Sequence, residues 1–140
     1  MLTSILAAAA IAAAPAPEQC DSGGTIGMAH CMDRKIEQAS ARLNQYRARA
    51  IQRFQEQPDR DPATVRALND AAVIVDASRE TYCNAIYQQW IEGSIRYAMN
   101  QECKLRLIDR ETHDIWSDFL GYIQDDVPPL LPEPKPTPTE

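Results

Sequence analysis

Glycine is scarce in this chain of 140 residues: there are five, at Gly23, Gly24, Gly27, Gly93 and Gly121. The interior therefore has long stretches with nothing to break a helix. No segment alternates polar and apolar residues with period two, so no sheet is expected. There is no Cys-x-x-Cys pair, which excludes a thioredoxin-like centre and a zinc ribbon. Basic charge is not in excess. The formal net charge is −6, whereas a protein that neutralises phosphates needs a basic face, so nucleic acid is excluded as a partner. No serine has a plausible His and Asp arrangement around it, and no Gly-rich phosphate loop occurs. Beyond the N-terminus no apolar run could span a membrane.

What is present starts with the leader. Residues 2–14 are nearly all small and apolar, and end in Ala-Ala-Ala-Pro-Ala-Pro. The stretch is too short for a bilayer, where about 20 residues are needed. It reads as a signal peptide (1–14) cut near Ala13, although only the α-amino group is positive ahead of it. Cys20 follows Glu-Gln, so the chain carries no lipidation signal. The expected location is periplasmic or secreted. The mature chain, about 125 residues, is one domain's worth. It divides into a body, 18–122, and a proline-rich tail, 127–140. The tail, "VPPLLPEPKPTPTE", has no partner segment in the pattern and is expected to be extended and mostly disordered.

Periodicity organises the body. Met32, Ile36, Ala39, Leu43, Tyr46, Ala50 and Phe54 follow one another at spacings of three and four, one face of a helix over about 28–57. "QPDRDP" stops it. Asp61 then reads as an N-cap and Pro62 as the first residue of a second helix. That helix carries Val65, Leu68, Ala72, Val75, Tyr82, Ile86 and Trp90 on one stripe. After Glu92-Gly93-Ser94 a third helix holds Ile95, Ala98, Met99, Leu105, Ile108, Ile115, Trp116 and Phe119, with a kink expected between Asp109 and His113. The fold class is all-α: a small antiparallel bundle of about three helices.

Four cysteines remain in the mature chain: Cys20, Cys31, Cys83 and Cys103. An even number in a small exported protein points to disulfides. The short link at Pro58 makes the first two helices antiparallel. Cys31 and Cys83 stand at nearly equal removes from Pro58, and Cys83 and Cys103 at equal removes from Gly93. Three cysteines thus gather at one end of the bundle, and Cys20 leads into it. Two pairings fit: Cys20–Cys31 with Cys83–Cys103, or Cys31–Cys83 with Cys20–Cys103. The first is preferred because each loop contains a Gly break. His30 sits beside Cys31, but no metal site and no cofactor are expected.

The run Cys20, Thr25, Met28, Cys31, then "LNQY" (43–46), "RETYC" (79–83), "EGS" (92–94), Cys103 and "LIDR" (107–110) resembles the LprI-type lysozyme inhibitor family in its N-terminal domain. The resemblance covers about residues 20–120. Val75 stands where the family tends to have tryptophan, Ala72 for glutamine, Ser78 for tyrosine, Glu80 for aspartate, Glu92 for the first glycine of Gly-Gly-Ser and Ile108 for threonine, as in a divergent member. What the resemblance implies is a small, exported, cysteine-stapled helical module that binds c-type lysozyme without chemistry of its own. The alternative is an interaction module of the cell envelope with no effect on lysozyme.

Several side chains are candidate contacts. Arg79 falls on the apolar stripe between Val75 and Tyr82, where a charge must be paired. Either it meets Asp33, Glu37 or helix-end carbonyls, or it projects into a partner. Arg110 is equally ambiguous. Tyr46 and Trp90 are expected in the core. Tyr87 and Tyr97 flank the Gly93 turn and could anchor a partner. Asp109, Glu111, Asp114 and Asp118 lie near one another on helical geometry. They form either a solvated face or a surface for lysozyme or another basic protein, in which case the contact weakens with salt. No catalytic role is expected: paired carboxylates hydrolyse glycosides only in a cleft that holds a sugar.

Overall fold

The computed structural model describes residues 20, 24–56, 62–121 and 129–138. The leader, and Asp61 as a helix cap, lie outside the described residues. Three helices follow in order: α1 Gly24–Gln55, α2 Ala63–Gln89 and α3 Arg96–Ile115, the last running on into a wider π turn, Trp116–Gly121. None of them is long and apolar enough to cross a membrane. The architecture is an all-α bundle stapled by two disulfides, Cys20–Cys31 and Cys83–Cys103, the local pairing.

α1 starts a turn earlier than its apolar pattern. Gly24, with a φ of +65°, enters it from the left-handed region that suits glycine. The stripe read from the sequence is the buried one: Met32, Ala39, Leu43, Tyr46, Ala50 and Phe54 all face inward. They meet α3, not α2. Leu105 and Ile108 join Cys20, Cys31, Met32, Ala39 and Leu43 in one cluster. Leu120 joins Tyr46 and Ala50 in a second, with Trp116, Phe119, Leu130 and Leu131 packed around it. α1 and α3 run parallel, and α2 lies antiparallel beside them.

α2 departs from expectation. Its sole buried residue is Cys83. Val75, Tyr82 and Trp90, read as stripe residues, are exposed, Trp90 at 38% and Tyr82 at 54%. Trp90 closes α2 rather than continuing it. Its N–H is shared between the carbonyls of Ile86 and Tyr87, and the connection to α3 begins there. Pro62 stands one place earlier than expected, as the N-cap of α2; its carbonyl accepts the N–H of Arg66 at 3.1 Å.

α3 runs unbroken through 109–113, so the kink expected there is corrected. The irregularity comes later, in the π turn. Gly121 explains where that turn ends. A Cβ at 121 would lie 2.7 Å from the Trp116 ring, so only glycine lets the chain pass that indole. The turn also leaves carbonyls free of the helical ladder. Phe119 O accepts from the Arg53 guanidinium, and Leu120 O accepts the N–H of Leu130 at 3.1 Å.

The tail is a second correction. Residues 129–138 are extended, as expected, but they are packed along α1 and α3. Prolines offer carbonyls and no N–H, and the bundle supplies the donors. Trp116 Nε1 donates to Leu131 O at 3.0 Å, Tyr46 Oη to Pro132 O at 2.6 Å and Lys35 Nζ to Pro138 O at 2.7 Å. Thr137 donates its N–H to Asp109 Oδ2 at 2.6 Å. Leu130 and Leu131 pack onto the second cluster, and Pro134 is buried. Hydropathy alone misses this strap because its anchors are single polar side chains, two of them, Tyr46 and Lys35, more than eighty residues away in sequence.

The division of labour between helices is testable by mutation. Leu105→Ala, in the α1–α3 core, should cost about 2–5 kcal/mol. Ile74→Ala, 68% exposed on α2, should stay within about 0.5 kcal/mol of wild type. Urea melts of both variants measure the contrast, and equal costs would place α2 in the core after all.

Candidate functional site

Charge, not apolar packing, ties the middle of α2 to its neighbours. Arg47 of α1 grips Asp76 of α2 with two bonds, Nη1–Oδ2 at 3.0 Å and Nη2–Oδ1 at 2.8 Å. The same guanidinium donates through Nε to Glu111 Oε1 of α3 at 2.9 Å, and through Nη2 to that oxygen as well. Arg79 completes the ring: Nη1 to Glu111 Oε2 at 3.0 Å and Nη2 to Asp76 Oδ1 at 2.5 Å. Arg47, Arg79 and Glu111 have side chains only 11–15% exposed, whereas that of Asp76 is 44% exposed. Two cations and two carboxylates are joined by six hydrogen bonds across three helices. Such bidentate, charge-assisted bonds are the strong kind.

Arg79 is therefore paired, as the structural reading required, but with Asp76 and Glu111 rather than Asp33 or Glu37. Asp76 was legible as a partner, since it stands at i,i−3 on the same helix. Arg47 gave no such signal: it lies next to Tyr46, off the buried stripe. The hydrogen bond from Arg47 holds the Asp76 carboxyl below its ordinary 3.8, partly opposed by burial. The bond to Asp76 likewise raises Arg47 above its usual value.

Of the four acids, Glu111, Asp114 and Asp118 share a groove and Asp109 stands apart. Glu111 belongs to the ring. Asp109 points the other way, to Arg42 Nη2 at 2.5 Å and to Thr137 of the tail. Asp114 stands 3.9 Å from Arg110, both well exposed. Asp118 shares with them a groove between α2 and α3, of about 550 Å³, whose charged lining is Arg79, Arg106 and Arg110 against Glu111, Asp114 and Asp118. That lining is balanced. The balance extends further: Glu18, Asp21, Asp59, Asp61, Asp125, Asp126 and Glu140, with Arg60 alone against them, lie outside the described residues and account for the chain's −6.

Tyr87 and Tyr97 are placed together with a different set. Tyr97 donates its hydroxyl to Asp33 Oδ1 at 2.6 Å, and Gln101 Nε2 donates to the same oxygen at 2.8 Å. That bond to a carboxylate raises the Tyr97 hydroxyl above its ordinary value. Arg96 lies over the Tyr87 ring at 5.7 Å and donates Nη1 to Ile91 O at 2.6 Å. Ile26, Glu92 and Gly93 line the cleft beside them. Ile26, Trp90, Ile91, Ile95 and Tyr97 are five of the nine large apolar side chains exposed among the described residues. They crowd the end of the bundle where the disulfides sit. The sequence pointed to the two tyrosines there; of the isoleucines it placed Ile95 on the stripe of the third helix and gave no role to Ile26 and Ile91. Among the described residues, no three of His, Cys, Asp and Glu stand close enough to hold a metal.

The family model for Lysozyme inhibitor LprI matches residues 17–115. No curated protein and no solved structure matches the chain.

The ring predicts two outcomes. Glu111→Gln removes the carboxylate shared by two nearly buried arginines and should cost about 2–4 kcal/mol, read by urea denaturation; a loss under about 0.5 kcal/mol would mean the ring carries no weight. The pH dependence follows from Asp76. Its folded value lies below its unfolded one, so its contribution is full above about pH 4 and disappears as pH falls through the folded value. Wild type should therefore lose melting temperature on acidification below about pH 4, and Asp76→Asn should lose less over that range.

Proposed function

The chain belongs to the LprI lysozyme-inhibitor family, and on that premise we propose that it is an exported module that inhibits c-type lysozyme by non-covalent binding. Two disulfides in a small helical protein suit an oxidising compartment, extracellular or periplasmic, and a signal peptide at 1–14 is the proposed route there. The inhibitor needs no catalytic group. It has to offer a rigid surface that covers the enzyme's substrate cleft.

The observation that carries the proposed surface is the apolar cluster at the disulfide end. Exposed apolar side chains rimmed by polar groups mark interaction sites, and aromatic residues dominate hot spots. Ile91, Ile95, Trp90 and Tyr97 supply the apolar part, with Asp33 and Glu92 as acidic neighbours. Cys83–Cys103 joins the two helices that flank the turn, so the surface is organised before it meets a partner. Arg110 and Asp114, at the edge of the α2–α3 groove, are secondary contacts. Arg79 and Glu111 are engaged in the charge ring and Asp109 with Arg42 and the tail, so none of the three is assigned to the surface. The charge balance of the bundle favours an apolar contact over electrostatic steering. It is also what favours the alternative, an envelope interaction module whose partner is not cationic.

Clearing of a cell-wall suspension by c-type lysozyme tests this. The oxidised mature protein should slow clearing at equimolar amounts and lose at most a few-fold in potency between low and physiological salt. Ile91→Asp and Tyr97→Ala should each weaken inhibition about tenfold or more, roughly 1.4 kcal/mol, without loss of helical signal. No slowing at excess would remove the inhibitor reading.

A further inference from the structure

The stripe Leu68, Ala72 and Val75 of α2 was expected to be core, yet it faces a space instead of a neighbour. That space is a cleft of about 290 Å³ between all three helices. α1 contributes Ala50 and Ile51, α2 Leu68 and Ala72, and the end of α3 Ile115 and Phe119. At one side it meets the α2–α3 groove, with which it shares Val75, Glu111, Ile115 and Phe119.

The few polar groups on its walls are already engaged. Arg47 has all its nitrogens committed to Asp76 and Glu111, and each Glu111 oxygen accepts from an arginine. Asn69 donates its amide N–H to Val65 O of its own helix at 2.9 Å. An occupant thus meets methyl groups, a phenyl ring and hardly any free donor or acceptor. Burying a polar group there would leave it unsatisfied, which is costly. Only an apolar body fits.

Size narrows the class. A cavity of about 150 Å³ lined by such residues takes benzene, with its six carbons. Roughly twice that volume suits about ten to twelve carbons. The small residues Ala50 and Ala72 on facing walls leave a slot rather than a sphere. Pockets of this size and lining are where small ligands bind.

We infer that the cleft between α1, α2 and α3 is a binding site for the alkyl chain of an apolar or amphiphilic small molecule, separate from the apolar end proposed to meet lysozyme. The groove that adjoins it carries Asp114 and Asp118 as well as Arg106 and Arg110, so its balanced lining does not select the charge of a head group beside the chain. The chain alone is the recognised part.

The test uses the full, oxidised protein and two probes, decan-1-ol and decanoate, followed through methyl resonances in carbon–proton NMR spectra. The expected result is a saturable shift of the Leu68, Val75, Ile51 and Ile115 methyls, with Ile26 and Ile91 at the opposite end unmoved. A shift by either probe supports the site. Ala72→Phe fills the slot and should weaken binding at least tenfold while the melting temperature holds or rises. Ala72→Leu, a smaller filler, serves the same purpose if the phenylalanine is not tolerated. The inference is overturned if neither probe moves those methyls, if all exposed methyls move alike, or if a folded filled variant binds as wild type does.

Discussion

Four side chains, Arg47, Asp76, Arg79 and Glu111, hold α2 in this bundle where buried apolar packing does not. α1 and α3 share the first buried cluster, and the second joins α1 to the π turn. α2 adds a residue to neither, and its one buried residue is Cys83. Between its ends, α2 is positioned by the charge ring and, on its outer side, by the Glu80–Lys104 pair at 2.6 Å. The Cys83–Cys103 bridge fastens the far end. A buried ion pair is weak evidence of net stability, because desolvation offsets much of the attraction. What it does supply is register. Arg47 and Arg79 match the forks of Asp76 and Glu111 at one relative placement of the helices, and a slide by one turn would strand all four charges. A helix held by polar anchors at intervals can stand away from its neighbours, and that is why an apolar cleft survives beside it.

The other face is closed by different means. The tail lies over α1 and α3, with its carbonyls taken by Tyr46, Trp116 and Lys35 and its Thr137 by Asp109 and Arg42. Burial raises the Tyr46 hydroxyl above its usual value, against the pull of the Arg42 charge, so it remains a donor at neutral pH. Strap, core and ring divide the surface into three regions: a covered face, an open cleft and an apolar end.

How much of this was legible follows from the range of each signal. The α1 stripe from Met32 to Phe54 was read correctly because helical period is local. The local disulfide pairing followed from two Gly breaks. Arg79 was recognised as needing a partner, since a charge on an apolar stripe is a local contradiction, but its partners were misassigned because Glu111 lies thirty-two residues away. The stripe of α2 was the instructive error. Val65, Leu68, Ala72 and Val75 have the spacing of a core face, yet periodicity says only that residues share a side, not that a neighbour fills it. The tail failed for the converse reason. Proline-rich composition predicts an extended chain, while its docking depends on donors distributed along two helices. Among the candidate contacts, Tyr87 and Tyr97 came together because both flank one turn. Asp109 separated from the other acids because it stands two residues before Glu111, on nearly the opposite side of the helix, whereas Glu111, Asp114 and Asp118, three and four residues apart, share one groove.

The central claim is that α2 is an appended helix, held by charge and sulfur beside an apolar cleft. Native-state hydrogen exchange on the oxidised full-length protein measures it most directly. Amides of 65–75 in α2 should open with a free energy several kcal/mol below that of α1 and α3 core amides, since local stability follows buried apolar contact. If α2 amides exchanged only through global unfolding, with the same free energy as those around Leu43 and Leu105, the helix would be an integral part of the core and the account would be contradicted.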